Sequence, residues 1–167
     1  MTPMSESVAF QDQMANNFCW GCGADNPDGL QLKSHWEGEG KGDVAVAQWQ
    51  PGSEFAAGPR HVLNGGIIAT LLDCHGVCVA IADAYAREER AIGSEPDLWY
   101  ATASMSIDYL RPTPLDGPVS VRGWVVDVDD RFTTVECELD ADGKVRARAT
   151  VRAVRVPDTW RHGAPPA

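Results

Sequence analysis

Two periodicities divide the chain. From Gly65 to about Arg87 the apolar positions Ile67, Ile68, Leu71, Leu72, Val77, Cys78, Val79 and Ile81 recur at helical spacing and leave little polar face, so the spacing predicts one helix wrapped on most of its sides. After Pro96 the period drops to two. In LWYATASMSIDYLRP, Ala101, Ala103, Met105, Ile107 and Tyr109 alternate with Thr102, Ser104, Ser106 and Asp108, which puts Thr102 on the face opposite Ala101 and Ala103. PVSVRGWVVDVDD, RFTTVECELDADG and KVRARATVRAVRV continue the alternation, with DADGK as a hairpin turn between the last two. Upstream of the helix, LQLKSHWEGE and DVAVAQWQP flank the glycine-rich EGEGKGD and read as a further hairpin. Two strands, a buried helix and four antiparallel strands predict an α+β domain in which a curved antiparallel sheet wraps around one long central helix.

Composition narrows the picture without changing it. A chain of 167 residues, 44% of them hydrophobic, fills one core. Residues 1–17 are polar and aperiodic and 157–167 are rich in Pro and Gly, so both are expected to be flexible tails around a single domain over 18–156. A net charge of -10 speaks against nucleic acid as a partner, because backbone binding needs clustered Lys and Arg. Five cysteines without a disulfide-framework pattern, and an N-terminal stretch with no apolar core, lead us to expect a cytoplasmic protein. No run approaches the roughly 18 uninterrupted apolar residues of a membrane-spanning helix, so no membrane partner is expected.

Candidate chemistry gathers where the helix begins. Asn64 is a good N-cap, and the Gly65-Gly66 pair behind it presents backbone amides at the positive end of the helix dipole. Asp73 is the only formal charge between Gly65 and Ala82. Burying it unpaired would be costly. It is therefore either a structural carboxylate bonded to an amide or an Arg, or a cleft-facing group that activates water or attacks a substrate.

NGGIIATLLD at Asn64–Asp73 and SIDYLRPTPLDGPVSVRGWVV from Ser106 onward resemble the PaaI-like acyl-CoA thioesterase family of the hotdog fold, over roughly residues 18–156. CWGCGADNPDGLQLK resembles a segment found in a subset of those proteins. Where the family usually has a His before the two glycines, this chain has Asn64. The resemblance implies hydrolysis of an acyl-CoA thioester. In it the Gly65 amide is the oxyanion donor, assisted by Asn64. Asp73 is the base or nucleophile, and Thr102, seven residues before Tyr109, orients the water. Gly66 permits close approach of the substrate. Arg60, Arg111 and the Lys144, Arg146, Arg148 run are the candidates for the coenzyme A phosphates. No cofactor is implied.

Geometry adds a constraint of its own. Eight residues separate Gly65 from Asp73, about 12 Å of helical rise, whereas donor and base must each approach one reacting group to about 3 Å. One helix cannot supply both, so a homodimer or homotetramer with composite sites is expected, the arrangement that the resemblance also implies. A non-catalytic acyl-CoA-binding module is the alternative. A hydratase fits less well, because it calls for a His paired with an acid where Asn64 stands.

Cys19-Trp-Gly-Cys22 has the spacing of half a zinc site. The other candidates, His35, His61, Cys74, Cys78 and Cys137, are scattered along the chain, so no metal is expected. Cys74 and Cys78 read as small core residues, and His61 and His75 as hydrogen-bonded structural histidines. Trp20, Trp36, Trp49, Trp99 and Trp124 read as core or interface residues, any one of which could line an acyl pocket.

Overall fold

The computed structural model describes residues 7–163. Its strands are β1 (Ser34–Trp36), β2 (Ala45–Trp49), β3 (Tyr100–Tyr109), β4 (Val119–Val128), β5 (Phe132–Ala141) and β6 (Lys144–Arg155). The helices are α1 (Gly65–Arg87) and a short α2 (Asp158–His162). All strand pairs are antiparallel, in the order β1-β2-β4-β5-β6-β3. The sheet packs against α1, as the α+β hotdog reading expects.

Alternation builds the core. Val119 and Val121 on β4, Val135, Cys137 and Leu139 on β5, and Ala147, Ala149, Val151 and Ala153 on β6 are buried against the helix. Their neighbours face outward, where Arg148 pairs with Glu138 and Arg122 with Glu37. The alanines on β6 let α1 lie close. A Cβ at Gly76 would fall 2.7 Å from a Val151 methyl, a distance that leaves no room for one. Leu71, Leu72 and Ile81 are buried on the same helix, each contributing about 1.5–3 kcal/mol. By length and apolar composition α1 could cross a membrane. Here that apolar character is satisfied by the sheet.

Two expectations need correction. The strand expected over LQLKSHWEGE pairs only at Ser34–Trp36. Upstream, Gln31 adopts a left-handed φ of 57°, and the Leu30 and Leu32 amides donate to the carbonyls of Trp20 and Gly21. That backbone is already committed to the N-terminal loop. The stretches expected to be loose tails are also held wherever they are described, while 1–6 and 164–167 lie outside the described residues. Phe10, Gln11, Met14 and Asn17 are buried. At the other end, Arg161 of α2 pairs with Asp97, donates to Ala15 O and stacks over the Trp99 ring at 4.1 Å.

The N-terminal segment is keyed to the helix through a buried polar chain. Gln11 Nε2 donates to Ser34 Oγ at 3.0 Å, and Gln11 Oε1 accepts the Ser34 amide at 2.8 Å. His75 Nε2 lies 3.2 Å from Ala45 O, a carbonyl that can only accept. That proton leaves Nδ1 to accept from Ser34 Oγ at 2.9 Å. His75 is thus the structural histidine expected of it, and Gly123 makes room: a Cβ there would meet its ring at 2.9 Å.

Burial pushes the His75 imidazole down to about 4, outweighing the Ala45 hydrogen bond that favours its protonated form. In the unfolded chain it would titrate near 6.5. The neutral ring therefore contributes its full stability above about pH 6.5 and loses it as pH falls toward about 4, a span worth about 3 kcal/mol. His75→Leu is expected to be destabilised at pH 7, because Ser34 and Ala45 lose their partner. In urea unfolding, its deficit relative to wild type should narrow by about 3 kcal/mol between pH 7 and pH 4.

Candidate active site

The start of α1 behaves as its sequence requires. Asn64 Oδ1 accepts the Gly66 amide at 2.7 Å and the Ile67 amide at 3.4 Å, the N-cap expected. Its oxygen is thereby occupied, and only the Asn64 side-chain N–H groups remain to donate. Of the two glycines, Gly66 spends its N–H on the cap. The Gly65 N–H has no acceptor among the described residues.

Tyr109, at the far end of β3, reaches the same point, its hydroxyl donating to Gly65 O at 2.8 Å. Sequence reasoning quoted Tyr109 without giving it a role. Its ring covers Gly65, 3.5 Å from where a Cβ would stand.

Two turns along, Asp73 sits on the helix stripe that the sheet leaves open, with Thr70 and Val77 also only partly buried. Thr102 Oγ1 donates to Asp73 Oδ1 at 2.5 Å. Thr102 stays opposite Ala101, as alternation expects, but strict alternation would also put it opposite Met105, Ile107 and Tyr109, and that part is overturned. The β3–β6 register slips between Thr102 and Ser104, and this bulge reverses the parity of the strand. Tyr100 and Thr102 before it, and Met105, Ile107 and Tyr109 after it, consequently all look toward α1. An extra residue in one strand re-aims side chains in this way.

Electrostatically the acid is poised. Burial raises the Asp73 carboxyl above the ordinary carboxylate value, the Thr102 hydrogen bond pulls it part of the way back, and negative charge on the nearby Cys22 sulfur adds to the rise. With Thr102 holding Oδ1, Oδ2 is left for a substrate or a water.

Asp73 and Thr102 open onto a cavity of about 510 Å³ between α1, the start of β3, residues 16–22 and α2. Phe18, Val77, Ile81, Trp99 and Trp160 make it mainly apolar. Only Trp99 among these was foreseen as a pocket residue. Trp160 lies in the stretch read as a C-terminal tail, and Phe18, at the first position of the expected domain, sits in an aperiodic segment that carries no pattern to mark it.

The basic candidates are placed as follows. Arg111 donates to Val145 O at 2.6 Å and Arg146 to Ala141 O and Pro112 O, while Arg148 pairs with Glu138. Arg60 is exposed in the loop before α1 and makes no hydrogen bond or ion pair among the described residues. His61 is exposed in that loop and its ring makes no hydrogen bond among the described residues, so it is not the hydrogen-bonded structural histidine expected.

Cys74 and Cys78 are buried as expected, but not among aliphatic neighbours alone. Cys74 Sγ lies 3.6 Å from Cys19 Sγ, and Cys78 Sγ lies 3.8 Å from Cys22 Sγ. The neighbouring thiols of Cys19, Cys74 and Cys78 favour the charged form of Cys22 and draw its thiol below the ordinary range.

A sheet wrapped on a single helix defines a hotdog-fold protein, here with an unpaired glycine amide at the helix start and an acid at the helix's open face. Residues 61–147 match the thioesterase superfamily, and the chain belongs to that superfamily. A thioesterase superfamily protein from Shewanella loihica is 32% identical and superposes with a TM-score of 0.60, over 75% of this chain and 91% of that one. A phenylacetic acid degradation-related protein from Ralstonia eutropha shares the fold at 19% identity, with a TM-score of 0.61 over 75% of this chain and 85% of its own. A thioesterase from Haemophilus influenzae does so at 16% identity, with a TM-score of 0.60 over 76% and 79%. No curated protein sequence matches the chain.

Removing the Thr102 hydroxyl removes the hydrogen bond that favours the Asp73 carboxylate, so the Asp73 pKa should climb further. In Thr102→Val the acid limb of the pH–rate profile for thioester hydrolysis should move to higher pH than in wild type. An unmoved limb would separate Thr102 from the ionisation of Asp73.

Proposed function

We propose that the protein is an acyl-CoA thioesterase acting as a homodimer, or as a homotetramer built from such dimers, with sites composed across the two-fold. The observation that carries this reading is Asp73: a carboxylate with a raised pKa, held by Thr102 at the mouth of an apolar cavity. A donor for the developing oxyanion is the second requirement. The free Gly65 amide meets it, but eight residues and about 12 Å of helix separate the two groups. A second chain resolves the separation by bringing Gly65 of the partner subunit to Asp73. Support for such a chain comes from β3, an edge strand of ten residues that carries Thr102 and Tyr109 and leaves one side unpaired. A long unpaired edge is a template for another strand.

In this reading the thioester carbonyl oxygen takes the Gly65 N–H, with the Asn64 side-chain N–H groups beside it. Asp73 either accepts a proton from the attacking water and passes it to the departing sulfur, or itself bonds to the acyl carbon to give an acyl–Asp73 anhydride that a water then hydrolyses, its protons going to the thiolate and the carboxylates. In both cases the C–S bond breaks, coenzyme A leaves as the thiol, and the carboxylic acid is released with Asp73 regenerated. Thr102 keeps the carboxylate aimed at the substrate. Glycine at position 66 lets the acyl carbon come close to the helix backbone. The cavity takes the acyl group, and its aromatic and aliphatic lining selects for an apolar one. Exposed Arg60 is the best placed of the basic residues to meet coenzyme A phosphates. Cytoplasmic residence, where acyl-CoA is found, suits this activity.

Free-thiol release from a panel of acyl-CoA esters tests the reading. Turnover should fall at least about 100-fold in Asp73→Asn and Asp73→Ala, with acyl-CoA binding retained, and sedimentation should give a dimer or tetramer. Binding without turnover across the panel would identify a non-catalytic acyl-CoA-binding module. Full activity in a monodisperse monomer would refute the composite site.

A further inference from the structure

We propose that Cys19, Cys22, Cys74 and Cys78 bind one zinc ion as a tetrathiolate, fastening the N-terminal loop to α1 beside the acyl cavity. The chain order hides this set, because 52 residues or so of loop and strand separate the two pairs; the fold brings them together. Cys19 and Cys22 come from the loop with two residues between them, and Cys74 and Cys78 from successive turns of one helix face. The ligand atoms of Cys19, Cys22 and Cys74 all lie within 4.8 Å of one another, and Cys78 Sγ stands 3.8 Å from Cys22 Sγ. Tetrahedral zinc with bonds of about 2.3 Å holds its sulfurs about 3.8 Å apart. The 3.6 Å and 3.8 Å Sγ–Sγ distances match that spacing, the Cys19, Cys22 and Cys74 sulfurs form a compact triad, and Cys78, beside Cys22, must swing toward the other two to complete the set. All four are free thiols.

Contact between thiols alone would account for either pair, but less well for the way the loop is built. Gly23 N donates to Cys19 O at 2.8 Å, and Asn17 Oδ1 accepts the Cys19 amide, folding the loop into a tight knuckle around the two sulfurs. A Cβ at Gly21 would stand 2.3 Å from Cys74 Sγ, and one at Gly23 would stand 2.4 Å from Asn17 O and Cys19 N. Only glycine at both places lets the knuckle close onto the helix. The donor set is four soft thiolates, which suits zinc, and four protein ligands would leave no position for a water. Its role is structural. The loop it secures provides Phe18 and Asn17 to the cavity wall, and Cys74 adjoins Asp73 in sequence. This inference stands independently of the hydrolase reading, since an ion there would be retained by a binding module as well.

The test is metal analysis of the full-length protein, purified without chelator from zinc-supplemented cells. About one zinc per chain is expected. Cys19→Ser, at the exposed member of the set, should retain the fold and lose most of the zinc, whereas Cys137→Ser, at a buried cysteine outside the set, should keep it. Cobalt-substituted protein should show the intense visible absorption of a tetrahedral tetrathiolate, abolished in Cys19→Ser. Zinc below about 0.2 per chain with the thiols free to react, a Cys19–Cys74 or Cys22–Cys78 disulfide in peptide mapping, or iron in place of zinc would each overturn the proposal.

Discussion

A carboxylate on the helix that fills the core can survive only where the core is left open. Desolvation is the constraint, since a fully enclosed unpaired Asp73 would lose several kcal/mol on ionising. The fold meets it by burying α1 on the side of Leu71, Leu72, His75 and Val79 while leaving the stripe through Thr70, Asp73 and Val77 uncovered by the sheet. Half-buried, Asp73 pays a partial penalty that raises its pKa without forcing it to stay neutral. The cavity, the reach of Thr102 and the position of the N-terminal loop all follow from keeping that stripe open.

The strand beside the helix completes the arrangement through one irregularity. Had β3 kept strict alternation, Thr102 and Tyr109 would point to opposite faces, because an odd number of residues separates them. The slip between Thr102 and Ser104 adds one residue to β3 and brings both onto α1, Thr102 at Asp73 and Tyr109 at Gly65. The two ends of the proposed chemistry are thus held by one strand, at a separation that one helix cannot close and a second chain can.

The N-terminal segment is a working part of the domain. It threads Gln11 into the Ser34–His75 chain and folds residues 17–26 into a knuckle against the helix. It also supplies one wall of the cavity. Its cost is a set of close approaches that only glycine tolerates, and a zinc ion in the thiol cluster would offset that cost by tying loop and helix together.

The sequence by itself determined the elements. The 3.6-residue period set α1, the two-residue period set the long strands, and Asn64 set the helix start, because each depends on neighbours within a few positions. It also singled out Asp73 as a charge out of place and, through its resemblance, the thioesterase superfamily. It did not reveal the bulge that turns Thr102 inward, since one extra residue in β3 is defined only by its register against β6. Nor did it reveal that Gln11 and Phe10 are core residues, because polar composition reports solubility and not the partner that a buried glutamine finds. The meeting of Cys19 and Cys22 with Cys74 and Cys78 was decided by tertiary structure alone. Packing brings distant segments within a few ångströms, and no local pattern encodes which segments those are.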